Sequence, residues 1–165
     1  MRSYGWRGHL EAVPPGSVTV RENRVTNRRH RKGLEEWYVN DVRGFEHGIT
    51  VGMPPAGEGS ELVFDLAVKG GLTARVESSD SVVFVKETGD RVLEFGGLRA
   101  WDAAGRPLCV KFEALEGRLR YRLEVAGAAF PVTVDPLAQR AYIKASNPRA
   151  WDFFGMAVAA SGNTA

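Results

Sequence analysis

The chain has 165 residues, 44% of them apolar, 10% aromatic and 25% charged, with a formal net charge of +2. Such a length and mixture suit one well-packed core, which excludes two full domains and chain-wide disorder. The 22 Lys and Arg nearly balance the 20 Asp and Glu, so charge alone gives no pull toward nucleic acid, and no run approaches the roughly 20 apolar residues of a membrane-spanning helix.

Residues 1–7 carry positive charge but no apolar segment follows them, so they do not read as a secretory signal. From there almost every segment alternates with a period of two. In chain order the predicted strands are 17–27, 34–40, 48–53, 61–69, 72–77, 81–87, 91–95, 98–102, 108–114, 118–125, 130–134 and 139–145. In the fourth of these, Leu62, Phe64, Leu66 and Val68 alternate with Val63, Asp65, Ala67 and Lys69, the pattern of a strand with one buried face. Leu108, Val110, Phe112 and Ala114 alternate with Cys109, Lys111 and Glu113 in the same way, and Leu119, Tyr121, Leu123 and Val125 alternate with Arg120, Arg122 and Glu124. Leu115, Glu116 and Gly117 join those two segments as a tight reversal, which predicts an antiparallel hairpin. Turn residues also cluster at 78–80, 88–90, 96–97 and 103–106, and the Pro- and Gly-rich stretch 53–60 reads as an exposed loop. No segment has an amphipathic helical period. Short strands punctuated this way predict an all-β fold, an antiparallel β-sandwich-like domain.

A strand ending in Asp135 and Pro136 must stop there, since Pro136 donates no backbone hydrogen bond and holds Asp135 extended. The predicted division is a β-sandwich-like N-terminal module over 1–136 and a linker with a new pattern over 137–165. Little in the module points to chemistry. The lone Cys109 makes no internal disulfide and falls on the polar side of its strand. His9, His30 and His47 are scattered without metal-ligand spacing, and there is no Gly-x-Ser-x-Gly elbow. Glu35 and Glu36 point to opposite faces of a strand, so they do not share one glycosidic oxygen. Asp65, Glu77, Asp102 and Asp135 read as outward-facing strand and turn charges, and His47 as a strand-edge residue. Arg28, Arg29, His30, Arg31, Lys32 and Gly33 read as a solvated hairpin tip rather than a nucleic-acid surface. The expectation is therefore no enzyme, no cofactor or metal of its own, no nucleic acid and no membrane span. Trp37, Tyr38 and Trp101 are the candidates for stacking on sugar rings, which gives an alternative reading as a carbohydrate- or surface-ligand-binding module.

Beyond Pro136 the residues become more specific. Phe154, Gly155, Val158, Ala159, Ser161 and Gly162, preceded by Tyr142, Ile143, Lys144, Ala145, Ser146 and Asn147, resemble the opening of an FG-GAP repeat, the blade unit of integrin-type β-propellers in large bacterial surface and secreted proteins. Only the first part of one blade is matched, and Asn163 stands where such repeats commonly carry Asp. The segment from Asn23 to Pro136 is similar in order and spacing to the β-rich module that often precedes these repeats, through Glu36-Trp37-Tyr38-Val39-Asn40, Gly44-Phe45-Glu46-His47-Gly48 and Phe130-Pro131-Val132-Thr133-Val134-Asp135-Pro136. Relatives of that kind carry more sequence before this point.

The resemblance implies a non-catalytic structural or interaction module at the cell surface or outside the cell. Its partners would be downstream FG-GAP repeats of the same polypeptide, and surface glycans or proteins. The family's Asp-rich calcium loop has no match here, so calcium is implied only for repeats further downstream. A strand-rich domain abutting the first blade suits a role in capping or spacing the array, because an exposed sheet edge needs cover.

Overall fold

Strands that are apolar on one face are stable only when a second layer covers that face. The computed structural model describes residues 1–29, 33–41, 44–136 and 139–141, and it satisfies this requirement with three antiparallel sheets. The strands of the first half are β1 (Ser3–Trp6), β2 (His9–Ala12), β3 (Ser17–Arg21), β4 (Arg24–Arg29), β5 (Leu34–Asp41), β6 (Gly44–Val51) and β7 (Glu61–Ala67). Those of the second half are β8 (Leu72–Ser78), β9 (Ser81–Lys86), β10 (Arg91–Phe95), β11 (Leu98–Trp101), β12 (Val110–Leu115), β13 (Arg118–Glu124), β14 (Val132–Pro136) and β15 (Gln139–Ala141). The first sheet has the order β12-β13-β7-β1-β2, the second β11-β14-β6-β5-β4-β3 and the third β15-β10-β9-β8. The chain is an all-β, antiparallel, sandwich-like fold, and among the described residues no helix is long and apolar enough to cross a membrane.

The period-two faces meet in one core. Leu62 and Phe64 of β7, Leu119, Tyr121 and Leu123 of β13 and Phe112 of β12 bury together with Leu34, Ile49, Val51, Val132 and Val134 from the second sheet. Val82, Phe84 and Phe95 of the third sheet join the same cluster. Each fully buried side chain of this size contributes about 1.5–3 kcal/mol relative to exposure. The turn between β8 and β9 fastens the third sheet to the other two: the Phe112 N–H donates to the Ser79 carbonyl at 3.1 Å and the Leu98 N–H to the Asp80 carbonyl at 3.2 Å.

The predicted hairpin over 108–125 is present, with β12 and β13 paired from Val110 opposite Leu123 to Leu115 opposite Arg118, and Gly117 taking a φ of 63° in the turn. Residues 17–27 depart from expectation. They form not one strand but a hairpin, β3 and β4, reversed at Glu22 with φ 50° and Asn23. Pairing of five residues on each side offsets the cost of left-handed backbone at Glu22. The N-terminal hairpin of β1 and β2 was not legible in the sequence either, although Tyr4 and Trp6 of β1 enter the core opposite Phe64 and Leu62. The FG-GAP-like residues Phe154, Gly155, Val158, Ala159, Ser161 and Gly162, and the tip residues His30, Arg31 and Lys32, lie outside the described residues.

Candidate functional site

The inner face of the second sheet carries a run of polar side chains where apolar ones are expected. Along β5 the face that buries Leu34 also holds Glu36 and Tyr38, and along β6 the face that buries Ile49 and Val51 also holds His47. The register sets Tyr38 directly opposite His47 and Glu36 opposite Ile49. From the facing sheet, β13 brings in Tyr121, which is 0% exposed. His47 and Glu36 are 3% and 2% exposed.

These groups form a continuous hydrogen-bonded array. His47 Nδ1 lies 3.1 Å from the Tyr121 hydroxyl, and His47 Nε2 lies 3.0 Å from Glu36 Oε1. The Tyr38 hydroxyl donates to the same Oε1 at 3.0 Å. The Met1 α-ammonium donates to both carboxylate oxygens, at 3.0 and 3.2 Å, and an Arg29 guanidinium nitrogen sits 3.7 Å from Oε2. Tyr38 also stacks on His47 with ring centroids 4.8 Å apart, and on Phe45 at 5.4 Å.

Burial alone pushes the Glu36 carboxyl up, but the hydrogen bond and charge of His47, with the Met1 ammonium, outweigh it and hold the carboxyl at about 2. Burial drives the Tyr121 phenol well above its ordinary value, reinforced by Tyr38 and Glu36, and it raises Tyr38 with the help of the adjoining Glu36. General acid-base work at neutral pH needs groups that titrate near it. At neutral pH the Glu36 carboxylate therefore stays ionised and the Tyr38 and Tyr121 phenols stay protonated. Replacing Tyr121 with Phe should therefore act on the fold: it leaves a His47 nitrogen without its partner while keeping the ring on Phe112. The expected cost is about 1–2 kcal/mol, read from the urea midpoint.

Beside the array is a shallow pocket of about 220 Å³, lined by Tyr38, Phe45, His47, Leu66, Lys69 and Leu119 among others. Since the polar atoms of Tyr38 and His47 are engaged in the array, the pocket offers mainly ring and aliphatic surface. Among the described residues no group of three or more His, Cys, Asp or Glu could hold a metal ion.

The carboxylates singled out in the sequence do not converge; Asp65 and Asp135 lie on outward strand faces and Asp102 in a turn, as expected, but arginines and turn amides bury all three. Asp65 is 1% exposed because Arg118 and Arg120 of β13 donate to it, at 3.3 and 2.6 Å. Asp102 is 4% exposed and accepts from the backbone N–H groups of Ala104 and Arg106, both at 3.0 Å, closing the turn after β11. Asp135 is buried against Arg99 at 2.8 Å, whereas the exposed Glu77 pairs with Arg91 at 3.0 Å. Each carboxylate has its own cation or turn, as burial of a charge requires.

Of the aromatic candidates, Trp37 lies on the outer face of the second sheet. It is 7% exposed, lies against Gly48, has the Arg24 guanidinium 4.3 Å over its ring, and donates through Nε1 to Thr50 Oγ1 at 3.3 Å. Trp101, half-buried, is on the same outer face with Arg99 5.3 Å over its ring. Tyr38 is on the inner face in contact with His47, so the three do not share one platform. His47 is buried rather than at a strand edge. The sequence did hold a signal for the array: Glu36 has the parity of Leu34, and His47 that of Ile49 and Val51. Compared with protein-family models, with curated proteins and with solved structures, the chain matches none of them.

Proposed function

We propose that this chain is a non-catalytic structural and interaction module of an extracellular or cell-surface protein with FG-GAP-type repeats, and that it caps or spaces the repeat array. The observation that carries the reading is the path of the last described strands. β14 belongs to the second sheet through pairs with β6 and β11, while β15, three residues on from Pro136, pairs with β10 of the third sheet. The last described strands are therefore hydrogen-bonded to two sheets in succession, which anchors Gln139–Ala141 to the body. That is the mechanical requirement of a spacer or a cap. The array of Glu36, His47 and Tyr121 supports the non-catalytic part, because its titrating groups are mutually satisfied and sealed from solvent. In this reading the module uses no cofactor of its own.

The test is to prepare the chain alone and fused to complete FG-GAP-type repeats. Capping predicts a higher melting temperature and slower hydrogen exchange of the β10 amides in the fusion. Identical melting and exchange in both would overturn it.

A further inference from the structure

The outer side of the β3–β4 hairpin carries three consecutive cross-strand pairs: Arg21 opposite Arg24, Thr19 opposite Thr26 and Ser17 opposite Arg28. Thr19, Arg21, Arg24, Thr26 and Arg28 line a depression of about 220 Å³. Two arginines directly opposed on a sheet bring like charges together, a local cost. Among the described residues neither Arg21 nor Arg24 forms an ion pair with a carboxylate. The Arg24 guanidinium instead rests over Trp37, with Nε 3.4 Å from Thr26 Oγ1. Arg28 is held by Glu35 at 2.7 Å, and Glu22 occupies the reversal at the Arg21 end. Arg24 and Arg28 are four residues apart on one strand, about 13 Å at the rise of an extended chain. The depression thus has two opposed arginines at one end, a row of hydroxyls, and at the far end Arg28 in an exposed ion pair with Glu35.

We propose that this depression binds an acidic polysaccharide, with one carboxylate or sulfate group held between Arg21 and Arg24, a second reaching Arg28, and sugar hydroxyls lying along Thr19 and Thr26. Guanidinium groups present planar paired donors that match such oxyanions. A bound anion between Arg21 and Arg24 would also relieve their repulsion. Single-stranded nucleic acid fits less well, since it relies on open aromatic faces for base stacking and the Trp37 ring is already occupied by Arg24. The site shares no residue with the path of β14 and β15, so it stands independently of the spacing role.

The experiment titrates the full chain by calorimetry with dextran sulfate, polygalacturonate and neutral dextran, and with a single-stranded oligonucleotide. Binding of one or both acidic polymers and not of neutral dextran is expected, weakening as salt rises. The two polymers distinguish a sulfate from a carboxylate as the preferred group. Arg21→Glu should weaken that binding by about tenfold or more. Its melting temperature should not fall, because a carboxylate opposite Arg24 replaces a like-charge pair. Arg75→Glu makes the same charge change on β8 of the third sheet and should leave affinity within about twofold. Absence of binding to both acidic polymers, equal losses in the two variants, equal binding of neutral dextran, or tighter binding of the oligonucleotide would each overturn the proposal.

Discussion

Glu36→Ala should be the most damaging single polar deletion in this chain, lowering stability by about 3–5 kcal/mol as measured by urea unfolding. The substitution removes the one carboxylate on which the Met1 ammonium, the Tyr38 hydroxyl and His47 Nε2 all converge. Those donors stay buried, and a buried charge or donor without a partner loses its hydration with nothing in return. Glu36→Gln keeps the volume and one acceptor but not the charge, so a loss of about 3 kcal/mol is expected, at the low end of the alanine range and equal to the cost of protonating the native carboxyl. The pH dependence separates charge from shape. The Glu36 carboxyl titrates at about 2 in the folded chain against an ordinary value of 4.5. A carboxyl depressed by folding contributes stability that is fully present above the unfolded value and is lost as pH falls toward the folded one. With the side chain 3% exposed solvent screening is small, and the contribution is about 3 kcal/mol. The native chain should therefore lose stability steeply between pH 4.5 and 2, and Glu36→Gln should flatten that part of the profile. Parallel profiles for the two proteins would show that the array does not control acid unfolding.

What the sequence made legible and what it hid divide along the range of the interactions. Alternation is local, so the buried parity of Leu62 and Phe64, of Leu119, Tyr121 and Leu123, and of Phe112 was open to reading, as was the turn at Gly117. The break at Glu22 and Asn23 was hidden because the residues on both sides alternate in the same way, and neither Gly nor Pro marks the reversal. The burial of Asp65 was hidden because the arginines that cover its outward-facing side chain are 53 and 55 residues away in sequence. Nothing in the chain announces that β13 lies beside β7. His47 and Glu36 carried a local clue in their parity, yet their third partner, Tyr121, is 74 residues from His47 and on the facing sheet. The array became visible only when two sheets were brought face to face. Trp37 is the reverse case: the tryptophan stands out in the sequence, but the feature that decides its exposure is the glycine on the neighbouring strand.

Gly48 is needed for space rather than for backbone freedom, since it is not among the glycines with positive φ. A Cβ at this position would overlap the Trp37 ring carbons Cζ2 and Cε2, deep inside van der Waals contact. The indole has little room to retreat, because its Nε1 is tied to Thr50 and Arg24 lies over the ring. Gly48→Ala should therefore cost about 2–4 kcal/mol, at or above the upper end of ordinary overpacking. Trp37→Ala should itself cost about 3 kcal/mol through loss of a nearly buried aromatic. The decisive measurement is the double variant. With the indole gone, the added methyl meets open space and alanine loses less backbone entropy than glycine in a strand, so Gly48→Ala should become neutral or slightly stabilising there. Urea unfolding of the four proteins gives the coupling directly. If Gly48→Ala costs the same with and without Trp37, the indole does not lie flat on that glycine. The packing of this outer face, including the position of Arg24 at the edge of the hairpin depression, would then have to be redrawn.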